Sequence, residues 1–476
     1  MAQFPFVGPS YTARVTNLDA QRCINLYPEM AGPTSKSVAA LIGTPGLLLF
    51  AALPVGPVRG LIQFNATTAF AVAGEKIYRV NVDGTFVVLP TSLLTAVGTV
   101  SMATNGTTVF LVTGLNGYVI NPANNTFILL ADPEFQGADR VDFIDGYYVF
   151  NRPGTGQFQI TGLYSTDVDG LDFATAEGAP DLLVSLIVDH RELWLFGETS
   201  TEVFFNSGNS DFPFERINGA FIEQGCAAKF SVAKMDNSVF WLTADTRGQG
   251  MVMKSSGYSP QRISNHALEF AIASYRVVSD AVAYTYQQEG HSFYVLNFPT
   301  AKTTWVYDAS SNMWHQRAWR DPVTNELQQH RAEFQMTFGG KTIVGDRQNG
   351  NLYQLSLDVF TDNGVPIARI RSCPHLSDPD YRYQMFGSLE IDMQTGVGLI
   401  QGQGAAPQAM LRWSTDGGYS WSNELWAPIG PLGARRTRVK WRRLGRSRDR
   451  VFEVTVTDPV RVAIVGASVQ VITAAA

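Results

Sequence analysis

The stretch RWSTDGGYSW, Arg412 to Trp421, sets Ser414, Asp416, Gly418 and Trp421 at the spacing of an Asp-box hairpin. Two chemistries could follow. A carboxylate could work on a glycosidic bond, or a carboxylate and a hydroxyl could simply close a turn. Local physics favours the second. Ser and Asp side chains hydrogen-bond nearby backbone, and Gly417 and Gly418 tolerate positive φ at the tip. Trp421 is then expected to anchor the returning strand in a core. No step in that list is catalytic, and a motif carries function only in the right context. A looser copy occurs in LYSTDVDGLDF, where Ser165, Asp167, Gly170 and Phe173 follow the same order with one residue inserted.

A sialidase would also need three arginines around a carboxylate and a tyrosine nucleophile, and no sequence pattern gathers them. The six histidines, His190, His266, His291, His315, His330 and His375, include no pair at metal-ligand spacing. Asp189-His190 and His291-Ser292 resemble fragments of a triad, but there is no G-x-S-x-G elbow, and adjacent side chains on a strand point apart. Phosphate-cradling glycine loops are missing as well. The aromatics of WVYDASSNMW (Trp305 to Trp314) are expected to pack between blades. The sequence therefore assigns no catalytic residue, no cofactor and no metal.

Charge is more informative. Of 36 basic and 42 acidic residues, nine and one lie between Arg435 and Arg450, which leaves the rest of the chain near −14. The strip comprises Arg435, Arg436, Arg438, Lys440, Arg442, Arg443, Arg446, Arg448 and Arg450. Arg438, Lys440 and Arg442 alternate with Val439 and Trp441, so a strand would put the charges on one face and the apolar side chains in a core. The strip reads as an edge strand protected by charge, as a polyanion contact, or as a docking face for an acidic protein, the last being the favoured functional reading.

The elements that position these residues are β. Three scattered cysteines, Cys23, Cys226 and Cys373, give no disulfide framework, the N-terminus shows no secretory h-region, and the longest apolar run is broken by Pro and Gly. Synthesis and residence in a reducing cytoplasm, without membrane insertion, is expected. Residues 1–45 read as an irregular arm. Residues 46–361 repeat a layout of short β-branched and aromatic runs with Asn-Gly, Asp-Gly or Gly-Gly turns, in units about 40 to 55 residues apart. This is the pattern of a six- or seven-bladed β-propeller. One helix is expected in SNHALEFAIASYRV, capped by Ser264, as an insertion between blades. Residues 362–476 have longer alternating strands. Phe452, Val454 and Val456 face one way and Glu453, Thr455 and Thr457 the other, as in a β-sandwich. The fold class is all-β.

ELWLFGETSTEVFFNSG, WVYDASS, IVGDRQNGNLYQLS and WRRLGRSRDRVFEVTVTDP resemble the tail-nozzle proteins of short-tailed double-stranded DNA bacteriophages, also called packaged-DNA stabilisation proteins. The resemblance runs from about residue 25 to the C-terminus, and RLGRSRDRVFE is its most specific part. It implies a structural virion protein of the phage tail and not an enzyme. Such a protein forms a homo-oligomeric ring, usually a hexamer, beneath the portal and its adaptor ring, with a tail needle, plug or tailspike as further partner. Genome DNA would pass along the lumen without sequence-specific binding. The alternative is a tail-associated carbohydrate-binding or glycan-cleaving propeller, argued from the Asp-boxes.

Overall fold

In the computed structural model, which describes residues 2–32, 34–244, 248 and 250–473, the repeats become a ring of seven antiparallel meanders. Blades 1 to 5 are separate four-stranded sheets over residues 58–92, 101–129, 141–175, 183–222 and 233–262. Blade 6 (282–320) and blade 7 (332–356) are meanders that continue into larger sheets. Turn chemistry explains the layout. In blades 3 to 7 the first two strands are joined by two residues at positive φ: Asp145-Gly146, His190-Arg191, Asp236-Asn237, Glu289-Gly290 and Gly339-Gly340. That conformation matches the twist of a hairpin, and Gly, Asn and Asp adopt it most cheaply.

The blades are held by what lies between them. Seven apolar clusters, each shared by neighbouring blades, complete the circle, and one of them joins blade 7 (Met336, Phe338, Ile343) to blade 1 (Val58, Ala71, Tyr78). Trp305, Tyr307 and Trp314 lie in the cluster between blades 5 and 6, as expected for WVYDASSNMW. Each fully buried Val, Leu or Phe contributes about 1.5–3 kcal/mol. The fourth strand of blade 7 is Gly46–Ala52, paired antiparallel with Asn351–Ser356, so an N-terminal strand closes the last blade.

The C-terminal module is a sandwich. One sheet runs Val439–Arg442, Gln384–Met393, Ala463–Thr473, Ala39–Gly43, Leu26–Met30; the other includes Arg369–Ser372, Asp449–Val456, Gln408–Ser414 and Leu425–Pro428. Phe452, Val454 and Val456 point into the core between them with Leu389, Ile391, Val439 and Trp441. The second sheet is continuous with blade 6: Cys23–Ile24 pairs with Gln316 on one side and with Ile370 and Arg371 on the other.

Three sequence expectations change. Residues 1–45 are not irregular, because Ala2–Phe4, Leu26–Met30 and Ala39–Gly43 are strands of the sandwich. Leu26–Met30 pairs with the nearby Ala39–Gly43, but Ala2–Phe4 and Ala39–Gly43 pair with Ala463–Thr473, hundreds of residues away, so no sustained local period shows. Arg371, fully buried, also donates to Phe6 O, Pro9 O and Gln21 Oε1 and fixes this segment. The helix is His266–Ala273, capped by Asn265 and not Ser264, whose hydroxyl instead accepts from Val252 N and donates to Glu269. His190 Nδ1 lies 2.8 Å from Asp189, because His190 sits in the turn and not on a strand.

All three cysteines are buried and unpaired, with thiols pushed up to about 11 or 12 by burial. No described helix is long and apolar enough to cross a membrane.

Candidate docking face

Val439–Arg442 is the edge strand of its sheet, paired on one side only, with Ser388–Ile391. Alternation works as read from the sequence: Val439 and Trp441 are buried, and Trp441 Nε1 donates to Leu425 O across the sandwich. Arg438 and Arg442 are exposed and Lys440 is half-buried. The nine residues then separate into distinct environments. Arg438 grips Glu390 with Nε and Nη2, at 2.7 and 2.6 Å, and Lys440 lies 3.5 Å from the same carboxylate. These bonds, Arg438 first, hold the Glu390 carboxyl below its ordinary value. Arg446 and Arg448 lie over the exposed Tyr383 ring at 5.3 and 4.7 Å. Arg435, Arg436, Arg442 and Arg443 are exposed and make no ion pair among the described residues.

Arg450 does not belong to this face. It is 1 % exposed, donates to Leu444 O and Ser447 Oγ, and lies 4.4 Å over the Phe386 ring. Its strand is central, and burial pushes the guanidinium down to about 10. Beside Arg435 and Arg436 a groove of about 880 Å³ runs over the outer face of the sheet, with Phe4, Lys36, Glu390 and Asp392 among its lining.

The Asp-box is a turn. Ser414 Oγ donates to Asp416 at 2.7 Å and accepts from Gly418 N at 2.7 Å, while Asp416 accepts from Ser420 N and Oγ. With its oxygens so engaged, Asp416 is held down to about 2, with the Ser420 hydroxyl the largest cause. A Cβ on Gly417 would come within 2.2 Å of Asn17 Oδ1, so the tip is also seated on the N-terminal segment. Trp421 is not the core anchor expected. It is half-buried, outside the core cluster, with the Arg412 guanidinium 4.7 Å above its ring and Arg412 in turn bonded to Glu453. Trp421→Ala should therefore cost about 1–2 kcal/mol, the scale of a partly exposed cation–π contact plus some lost burial. Equilibrium unfolding checks this, and a loss of about 3–5 kcal/mol would restore the core-anchor reading. In the looser copy Ser165 Oγ donates to Asp167 at 2.8 Å, Gly170 N donates to Glu134, and Phe173 carries the Arg152 guanidinium at 4.6 Å.

His291 and Asp308 form a buried pair at 2.8 Å, but the nearby hydroxyl of Ser311 bonds the Asp, which is not the order a nucleophile needs. No cluster of His, Cys, Asp or Glu among the described residues could hold a metal. One feature was countable in the sequence and missed. The acidic excess is not spread over the body: residues 132–223, from the end of blade 2 through blade 4, hold 17 acidic and four basic residues.

A propeller leading into a sandwich whose edge is lined with arginine finds its match in one family. The family described as Bacteriophage P22 Gp10, beta-propeller, matches residues 2–360, and its partner, Bacteriophage P22 Gp10, beta-sandwich, matches residues 370–472. The chain belongs to the bacteriophage P22 Gp10 family. It is thus a phage tail structural protein, and the family places it in the virion tail. No curated protein matches the sequence. Among solved structures, the N-terminal domain of Nup159 is 11 % identical, covering 70 % of this chain and 99 % of its own, with a TM-score of 0.44. A chain of the mitotic checkpoint complex is 12 % identical, covering 69 % and 96 %, with a TM-score of 0.43. Likenesses this distant carry no argument about the Gp10-family chain.

Proposed function

We propose that this chain forms the ring-shaped tail nozzle of a short-tailed phage, a homo-oligomer and usually a hexamer in proteins of this kind. The ring extends the channel of the portal and its adaptor ring, retains packaged DNA, and conducts it on ejection. A needle, plug or tailspike meets its far end, and assembly takes place in the host cytoplasm. The observation that carries this reading is the match to a phage tail family from residue 2 to residue 472, with only a short gap. Within that frame the conduit is the lumen of the ring and not the axis of one propeller. One pocket at that axis, lined by Arg140, Asp142, Lys234 and Tyr284 from the innermost strands, holds about 260 Å³.

A conduit wall must let phosphate slide. Each Lys or Arg that bound the backbone would release counterions and add sequence-independent affinity. The exposed arginines therefore face protein, and the purified protein should bind duplex DNA only weakly at physiological salt. Sub-micromolar binding with a steep salt dependence would instead mean that the strip tracks phosphates. No glycosidase turnover is expected, since Asp416 is consumed by its own turn. The direct test compares heads assembled with and without this protein. DNA is expected to be packaged in both and lost from particles that lack it; equal retention would overturn the reading.

A further inference from the structure

We propose that the ring closes head to tail: the arginine edge of one sandwich seats on the acidic outer strands of blades 3 and 4 of the next copy. This rests on the ring reading above and names its contact. Three observations carry it.

The first is charge. The outermost strands of blades 3 and 4 are Val168–Thr175 and Phe214–Ile222, each an unpaired sheet edge. Asp169, Asp172, Glu215 and Glu223 lie on or beside them and make no ion pair among the described residues. Partial burial, and after it the neighbouring Asp169, push the Asp172 carboxyl above its ordinary value. Opposite them in sign stand Arg435, Arg436, Arg442 and Arg443.

The second is position. The sandwich joins the propeller through blade 6, at Gln316–Ile24, and through blade 7, at Asp362–Leu47. In a ring of seven, blades 3 and 4 lie across from blades 6 and 7. The sandwich that carries the basic edge therefore joins the propeller on the side away from the acidic strands. Two unlike, complementary patches generate a heterologous contact, the kind from which closed rings are built when the rotation between copies closes, whereas a two-fold contact would set arginine on arginine.

The third is composition. The acidic face also exposes Leu171 and Phe221, and the basic side exposes Tyr381, Tyr383 and Trp426. Aromatic residues and arginine are enriched at protein interfaces. A DNA contact would use the charge and leave these side chains without a role.

The test uses two variants that leave the Arg438–Glu390 grip intact: Arg442→Glu with Arg443→Glu, and Asp169→Arg with Glu215→Arg. Each is supplied to heads lacking the protein, with its thermal melting compared with wild type to show that it folds. Copies bound per DNA-filled particle are then counted. Either variant alone should lose ring assembly by about tenfold or more. Supplied together, the two should restore it, because each reversed edge now meets a reversed face round a ring with an even number of seats. Rings formed by either folded variant alone, or no rescue on mixing, would overturn the head-to-tail contact and leave the nozzle reading intact. Failure of the wild-type protein to assemble on heads would instead remove that reading and this inference with it. Normal rings with altered duplex-DNA binding would reassign the arginines to phosphate.

Discussion

Asn25→Ala should cost about 4–6 kcal/mol, more than any surface change considered above. Asn25 is buried, and its amide stitches the propeller to the sandwich. Nδ2 donates to Ala318 O of blade 6 and to Ala368 O beside the sandwich strand, both at 2.8 Å, and Oδ1 accepts from Ala318 N at 2.9 Å. Alanine would leave three buried backbone groups unpaired, each costing about 1–3 kcal/mol. It would also have to adopt φ 56°, which Asn tolerates and Ala resists by about 1 kcal/mol. Asn25→Gly relieves the backbone but not the orphaned groups, so it should be less damaging by about that 1 kcal/mol. Denaturant unfolding of the three proteins checks the series. A loss below about 1 kcal/mol for Asn25→Ala would mean the junction is held by other contacts.

Acid should weaken the same region through His330. Its ring is buried, its Nδ1 accepts from Ala332 N, and burial together with Arg317, Arg347 and Arg331 lowers its pKa to about 3. The folded protein keeps this histidine neutral while the unfolded chain protonates it near 6.5. Its stabilising contribution is therefore complete above pH 6.5 and is lost as pH falls toward 3. At about 1.4 kcal/mol per unit, roughly 2 kcal/mol is gone by pH 5. His315, buried beside Arg317, shifts in the same direction. Asp362 runs the other way. Burial raises it to about 7, so its contribution falls as pH rises from about 4 to 7. The difference between the wild-type and His330→Gln stability profiles isolates the histidine. Parallel profiles between pH 7 and 4 would show that His330 is not held neutral.

Legibility in the sequence followed the range of the interactions. Blade strands pair with their immediate neighbours through tight turns, so each could be read as a local pattern, although the sequence left the count at six or seven blades. The alternation of Val439 and Trp441 with Arg438, Lys440 and Arg442 was equally local. Arg450 looked like its neighbours because nothing nearby in sequence shows that Asp449–Val456 is a central strand. Trp421 had the spacing of a core residue, but the Arg412 guanidinium covers it. Ala2–Phe4, Cys23–Ile24 and Ala39–Gly43 were hidden because they pair with residues 316, 370–371 and 463–469. The acidic face was legible by counting and was missed because charge was summed over the whole chain.

The strand Gly46–Ala52 that completes blade 7 has a consequence for synthesis. It leaves the ribosome before any blade exists, yet its partner Asn351–Ser356 emerges some three hundred residues later. Blades 1 to 6 can each collapse as made, since their contacts are local. The circle must wait for Asn351–Ser356, and the sandwich sheet that takes Ala2–Phe4 and Ala39–Gly43 must wait for Ala463–Thr473 near the end of the chain. Until then the nascent protein is an open arc with an uncovered apolar blade face at each end and Gly46–Ala52 still without its partner strand, the state most vulnerable to association with another copy. The arginine edge, at residues 439–442, is delivered later still, so a copy acquires its basic face only after the strands that close its propeller have been made.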